Sequence, residues 1–96
     1  MNTKVVHCKH AQYDIYIGRA CYGFPASIWA NPYKIETDGS RAEVIEKYRQ
    51  YLLNNDELMK LLPTLRDKTL GCWCAPKPCH GHVLAELAEL TSLLEL

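Results

Sequence analysis

The sequence predicts a single small α/β domain: a sheet of about three strands covered by helices, in the order β-β-α-α-β-α. Three observations predict it. β-branched or alternating runs near the start and again near residue 70 have strand character. Two amphipathic segments with capping signals fill the interval between them. The last strand then feeds a helix directly through a Pro-rich turn, which argues for a sheet with helices packed on it and at least one parallel pair. At 96 residues there is room for one domain, 1–96, with a modest core.

Residues 4–8 carry β-branched Val5 and Val6 and read as the first strand. In residues 13–17 (YDIYI), Tyr13, Ile15 and Ile17 share one face and Asp14 and Tyr16 the other, a period of two that Gly18 ends. Residues 19–39, with Gly23, Pro25, Pro32 and Gly39, read as a long irregular connection. Such a loop is either functional or a surface excursion held down by Phe24, Ile28 and Trp29. Ser40 and Glu43 have capping-box spacing, and Val44, Ile45, Tyr48 and Leu52 follow at helical intervals. Arg41, Glu46, Lys47, Arg49 and Gln50 are placed on its solvated side. Asp56 is expected to cap a shorter helix through Leu58, Leu61 and Leu62, which Pro63 ends or kinks. Residues 68–74 read as a third strand with Leu70, Cys72 and Cys74 on one face, stopped by Pro76 and Pro78. A final helix from about Cys79 carries Val83, Leu84, Leu87, Leu90, Thr91 and Leu94 as an apolar stripe.

Eleven basic residues balance eleven acidic ones, so the net charge is zero. Non-specific grip on nucleic acid depends on a basic excess, and this class of partner is disfavoured. Near-neutrality gives little protection against self-association and favours a homo-oligomer. No apolar run is long enough to cross a membrane, and the opening MNTKVVHCKH turns polar at once. The expectation is a cytoplasmic protein whose five cysteines stay reduced.

In sheets of this kind ligands bind beyond the carboxyl ends of strands, where loops meet helix N-termini. Two segments end that way and are expected to converge. The first is residues 71–82, GCWCAPKPCHGH, which holds three cysteines and two histidines. Cys79 and His80 fall in the first turn of the last helix, where unpaired amides and the helix dipole favour phosphate or carboxylate. Lys77 and Arg19 would add charge, and Cys74 and Pro76 would border the ligand. A thiol at a helix N-terminus has a lowered pKa, so Cys79 is the candidate nucleophile, with His80 or His82 as acid or base. The alternative is zinc held by Cys72, Cys74, Cys79 and His80, although C-x-C-x4-C-H departs from the usual spacing. The plain reading of Cys72 is a packed core residue, since cysteine is among the most buried types. Cys8 and Cys21 read as structural, and His7 and His10 as surface or hydrogen-bonding residues. Trp73 suits a core anchor as well as a stacking platform.

The second segment is Gly18 and Arg19 together with Trp29, Asn31 and Tyr33. Arg19 just after a strand suits a carboxylate or phosphate, and Gly18 lets the backbone come close. Trp29 and Tyr33 offer aromatic faces, and Asn31 a paired donor and acceptor. The plain reading is that the two rings seal the loop onto the domain.

YIGR, the W-x-N-P-Y stretch, SRAEVIEKYRQYL and above all LGCWCAPKPCHGHVLAEL resemble the family called domain of unknown function 4326, from about residue 4 to about residue 89. Ala30 stands where the family's W-G-N-P-[FY] stretch has glycine, and His82 where an acidic residue is common. The Cys-x-x-x-x-Cys-His ending also resembles that of domain of unknown function 488. The resemblance implies bacterial or phage proteins, this fold and this site, without a substrate. The leading expectation is therefore a domain binding a nucleotide or nucleotide-derived, phosphate-bearing small molecule, with or without hydrolysis and with no cofactor. A zinc-stabilised interaction module is the second expectation. A phage accessory protein that sequesters a host nucleotide signal is the third, and nucleic-acid processing, held down by the neutral charge, the fourth.

Overall fold

The computed structural model describes residues 3–20, 23, 25–75 and 77–94, with side chains up to 91. The expectations placed on Cys21, Phe24, Pro76 and the Leu94 side chain lie outside the described residues. Strands β1 (Lys4–His7), β2 (Ile15–Tyr16) and β3 (Thr69–Cys72) form one sheet in the order β1-β3-β2, and both pairings are parallel. The element order is the expected one. The strands are shorter than the alternation suggested, although the Cys8 N–H still donates to the Cys72 carbonyl at 2.8 Å and the Ile17 N–H to the Gly71 carbonyl at 2.9 Å. β3 is central, so its Leu70 and Cys72 are buried.

Two parallel strands on either side of a third require the connection between them to run back along the sheet. Residues 8–14 do this, and Tyr13 lies directly against Gly71: a Cβ added there would sit 2.7 Å from Tyr13 Cγ. The Asp14 N–H donates to the Thr69 carbonyl at 2.8 Å and the Thr69 N–H donates to Asp14 Oδ2 at 2.8 Å, fixing the strap at its end. Gly71→Ala is therefore expected to destabilise the fold by about 1–3 kcal/mol, the usual cost of overpacking a close contact. Urea denaturation measures it, and an unchanged midpoint would mean that the strap does not press on β3.

Helix α1 (Arg41–Leu53) starts with the expected capping box: Ser40 Oγ accepts from the Glu43 N–H, and Glu43 Oε1 accepts from the Ser40 N–H. Helix α2 (Asp56–Leu61) is capped by Asn55, not by Asp56 as expected. Asn55 has the extended backbone of a cap and its Oδ1 accepts from the Leu58 N–H, which leaves Asp56 in the first turn, where its charge complements the dipole. α2 ends at Leu61, just before Pro63, as expected, and Pro63 sits early in the 3-10 helical turn that follows, Leu62–Leu65, where its missing N–H costs nothing. Helix α3 (His80–Leu94) packs its stripe, including Val83, Leu84 and Leu87, into a core shared with Tyr48, Leu52 and Leu65. Its first turn rests on the sheet because Gly81 has no side chain; a Cβ would come within 2.7 Å of Ile17 Cδ1 and 3.0 Å of Val5 Cγ1. That close approach sets Cys79 and His80 above the end of β3. Among the described residues no helix is long and apolar enough to cross a membrane.

Candidate functional site

A cavity of about 580 Å3 opens beyond the carboxyl ends of β2 and β3, between the loop after β2 and the starts of α1 and α3. Of the residues singled out above, Gly18, Arg19, Asn31, Tyr33, Cys74, Cys79 and His80 line it. Trp29 and Lys77 do not. Trp29 is 5% exposed and belongs to the core, because so small a domain needs its ring area there. Lys77 is exposed in the turn before α3, its N–H donating to the Cys74 carbonyl at 2.9 Å. Lys34, Arg41 and Trp73 join the wall, as does Cys72, which also packs in the core.

The loop wall is held from both sides. The Tyr33 N–H donates to Asn31 Oδ1 at 2.9 Å, closing a turn through the asparagine side chain with Pro32 at its middle. Asn31 is itself buried, and its acceptor is committed to shaping the loop. Arg19 Nε donates to the Asn31 carbonyl at 3.0 Å and its Nη2 to the Tyr33 carbonyl at 2.6 Å. Beneath them the Tyr48 hydroxyl donates to the Trp29 carbonyl at 2.8 Å. The W-x-N-P-Y stretch is thus chiefly a latch that presents Arg19 and Tyr33. Across the cavity Arg41 Nη1 donates to the Pro78 carbonyl at 2.9 Å, tying α1 to the turn before α3. Trp73 is half-buried; its Nε1–H donates to the Tyr16 hydroxyl at 2.7 Å, and that hydroxyl donates to the Arg19 carbonyl.

The start of α3 departs from the expected cradle of open amides. The Cys79 N–H donates to His82 Nδ1 at 3.1 Å, and the His82 N–H donates to the Cys79 carbonyl at 3.1 Å. The Gly81 N–H donates to the Cys79 sulfur. His82 therefore does the work of the glutamate in a capping box, three residues beyond the cap. Its Nδ1 is thereby engaged as a cap.

The thiols also differ from expectation. Cys72 Sγ and Cys79 Sγ lie 3.2 Å apart, both buried. The Cys79 thiol and the Ala75 and Cys74 amides all donate to Cys72, lowering its pKa. Cys79, as the donor and in a buried setting, is raised. The turn amides thus favour negative charge on Cys72, with Cys79, the expected nucleophile, as its hydrogen-bonded partner.

His80 is 9% exposed and its Nε2 lies 2.8 Å from the Ile17 carbonyl. A carbonyl only accepts, so Nε2 carries the proton and Nδ1 is the acceptor of the neutral ring. Burial lowers its pKa from the ordinary 6.5, against the Ile17 bond and assisted by Arg19 and His82. Above about pH 6.5 the folded and unfolded chains both hold a neutral ring. Below that, the unfolded chain takes up a proton that the fold refuses until its own lower pKa. Stability is therefore expected to fall on acidification, by at most about 1.4 kcal/mol per pH unit from this residue. Urea denaturation at about pH 7 and about pH 5.5 should show a larger loss for the natural chain than for His80→Gln. Equal losses would mean that His80 titrates normally.

Among the described residues no three His, Cys, Asp or Glu side chains are gathered to hold a metal ion. Of the set weighed for zinc, Cys72 and Cys79 face each other and His80 is directed to Ile17. The electrostatics of the cavity are plainer. Arg19, Lys34 and Arg41 line it, and no Asp or Glu does among the described residues. In a chain of zero net charge this is a local concentration of positive potential.

Fold and cavity together define a small parallel α/β domain with its cleft at the strand carboxyl ends. The chain belongs to the family described as Domain of unknown function (DUF4326), whose model matches residues 2–90. It is similar to an uncharacterized protein of Acanthamoeba polyphaga mimivirus, 40% identical over 89 residues, covering 80% of this chain and 68% of that one. It is also similar to an uncharacterized 12.4 kDa protein from the nrdA-td intergenic region of Enterobacteria phage T4, 33% identical over 90 residues, covering 90% and 77%. No solved structure matches.

Proposed function

We propose that the cavity binds a small phosphate-bearing anion of the nucleotide class. The observation that carries this reading is the wall itself: three cations and no carboxylate among the described residues. Burying an anion there is favourable, because charge-assisted bonds from guanidinium groups replace its water. The volume suits a ligand of nucleotide size, since small-molecule sites span roughly 300–1,000 Å3. Ile35, Val44 and Ile45 supply apolar surface, and the Tyr33 and Trp73 rings offer faces for a base.

Holding the ligand fits the wall better than hydrolysing it. His80 Nδ1 is a candidate base, but among the described residues no lining carboxylate orients the ring as in a catalytic triad. A viral or phage protein that sequesters a nucleotide needs no more than this, and the similar proteins are viral. Calorimetric titration with nucleoside mono-, di- and triphosphates and with the parent nucleosides tests the proposal. Phosphorylated ligands are expected to bind at least about tenfold more tightly, the worth of one good charge-assisted contact. Equal affinity for the nucleosides, or no binding of either, would remove the reading. Chromatography after incubation should return the nucleotide unchanged.

A further inference from the structure

We propose that Cys72 and Cys79 are a peroxide-oxidisable dithiol that closes to a disulfide between the end of β3 and the start of α3. The inference stands on geometry and is independent of which ligand the cavity takes. The two sulfurs are already 3.2 Å apart, and a covalent S–S bond of about 2.05 Å needs only a small inward shift. They come from different elements, so the bond would join strand to helix across residues 73–78. Cys72 is 1% and Cys79 3% exposed, yet both line the cavity. The route to them is the cavity, and its size selects a small oxidant such as hydrogen peroxide. The amides of Ala75 and Cys74, donating to the Cys72 sulfur, stabilise the thiolate that such a reaction requires.

The chemistry balances within the site. The Cys72 thiolate attacks one peroxide oxygen; the S–O bond forms, the O–O bond breaks, and the departing hydroxide takes the Cys79 thiol proton to become water. The Cys79 thiolate so produced attacks the Cys72 sulfenic sulfur, forming S–S and breaking S–O, and the second hydroxide leaves as water after taking a solvent proton. The sulfurs lose two electrons and the peroxide gains two. A dithiol reductant reverses the product. Cys74 also lines the cavity and is the competing thiol.

The test uses the full chain, reduced and then treated with equimolar hydrogen peroxide. Remaining thiols are alkylated with N-ethylmaleimide, and chymotryptic cleavage after Trp73 separates Cys72 from Cys79. The expected map has a Cys72–Cys79 cross-link, two hydrogens lighter than the reduced peptides, with Cys8 and Cys74 alkylated. Dithiothreitol added after the peroxide and before the alkylation should restore the Cys72 and Cys79 thiols. Cys79→Ser should stop at a sulfenic acid on Cys72 that dimedone traps, and Cys72→Ser should consume peroxide at least tenfold more slowly. A map with Cys72 and Cys79 both alkylated, or with Cys74 cross-linked in place of Cys79, overturns the proposal. The map of the natural chain decides this even if a variant does not fold.

Discussion

Arg41→Ala is expected to weaken the binding of phosphate-bearing ligands at least about tenfold, the equivalent of one lost charge-assisted hydrogen bond. Arg41 lies in the first turn of α1, lines the cavity, and uses Nη1 on the Pro78 carbonyl, which leaves its other nitrogens for an anion. Arg19→Ala should be as damaging for two reasons. It removes a charge, and it releases the Asn31 and Tyr33 carbonyls that two different guanidinium nitrogens hold. Arg19→Lys separates these effects. Lysine keeps the charge, but a single ammonium cannot reproduce the fork that spans the two carbonyls. An Arg19→Lys variant should therefore bind with intermediate affinity and greater salt sensitivity, as measured by calorimetry at two ionic strengths. If neither arginine matters, the anion does not sit in this cavity.

Tyr48→Ala is expected to have the largest effect on stability, about 3–5 kcal/mol, as for other large aromatic truncations in a core. For a small domain that is about a third or more of the roughly 5–10 kcal/mol available. Tyr48 is 0% exposed, and its ring meets the His80 ring edge-on with centroids 4.9 Å apart. Burial raises the pKa of its hydroxyl, which stays protonated and able to donate to the Trp29 carbonyl. Tyr48→Phe deletes only that donor and should cost about 1–3 kcal/mol, the penalty of an unpaired buried carbonyl. Urea denaturation of both variants checks the pair. A neutral Tyr48→Phe would show that water already reaches the Trp29 carbonyl.

Much of the fold was legible because its signals are local. Alternation in residues 13–17, the Ser40–Glu43 pair and the stripe through Val83, Leu84 and Leu87 each constrain one element without reference to the rest. The parallel order β1-β3-β2 is not local: the sequence led only to a sheet with at least one parallel pair, and which strand is central depends on long-range pairing. The convergence of Gly18–Arg19 with Cys74–His80 at one cleft followed from the rule that such sheets present their sites at strand carboxyl ends.

What was missed depended on side-chain partners. Arg41 was assigned to the wet face of α1, yet it stands three, four and seven residues before Val44, Ile45 and Tyr48, on the same stripe. That spacing was the signal for a cation at the edge of the core. Trp29 looked like a ligand platform because an aromatic on a loop has no periodicity to mark it as core. Which sulfur becomes the thiolate was beyond reach: it turns on the 3.2 Å approach of Cys72 to Cys79 and on two amides in the turn after β3. His82 as a cap was closer to hand, since its position three residues beyond Cys79 is the capping-box position.

The central claim is that the cation-lined cleft between Arg19 and Arg41 receives an anion. A 15N-edited NMR titration with a nucleoside diphosphate tests it most directly. The amides of Gly18, Arg19, Lys34, Arg41, Trp73 and His80 should shift together and saturably, with those of α2 left in place. Shifts confined to another face, or none at concentrations well above those of cellular nucleotides, would contradict it.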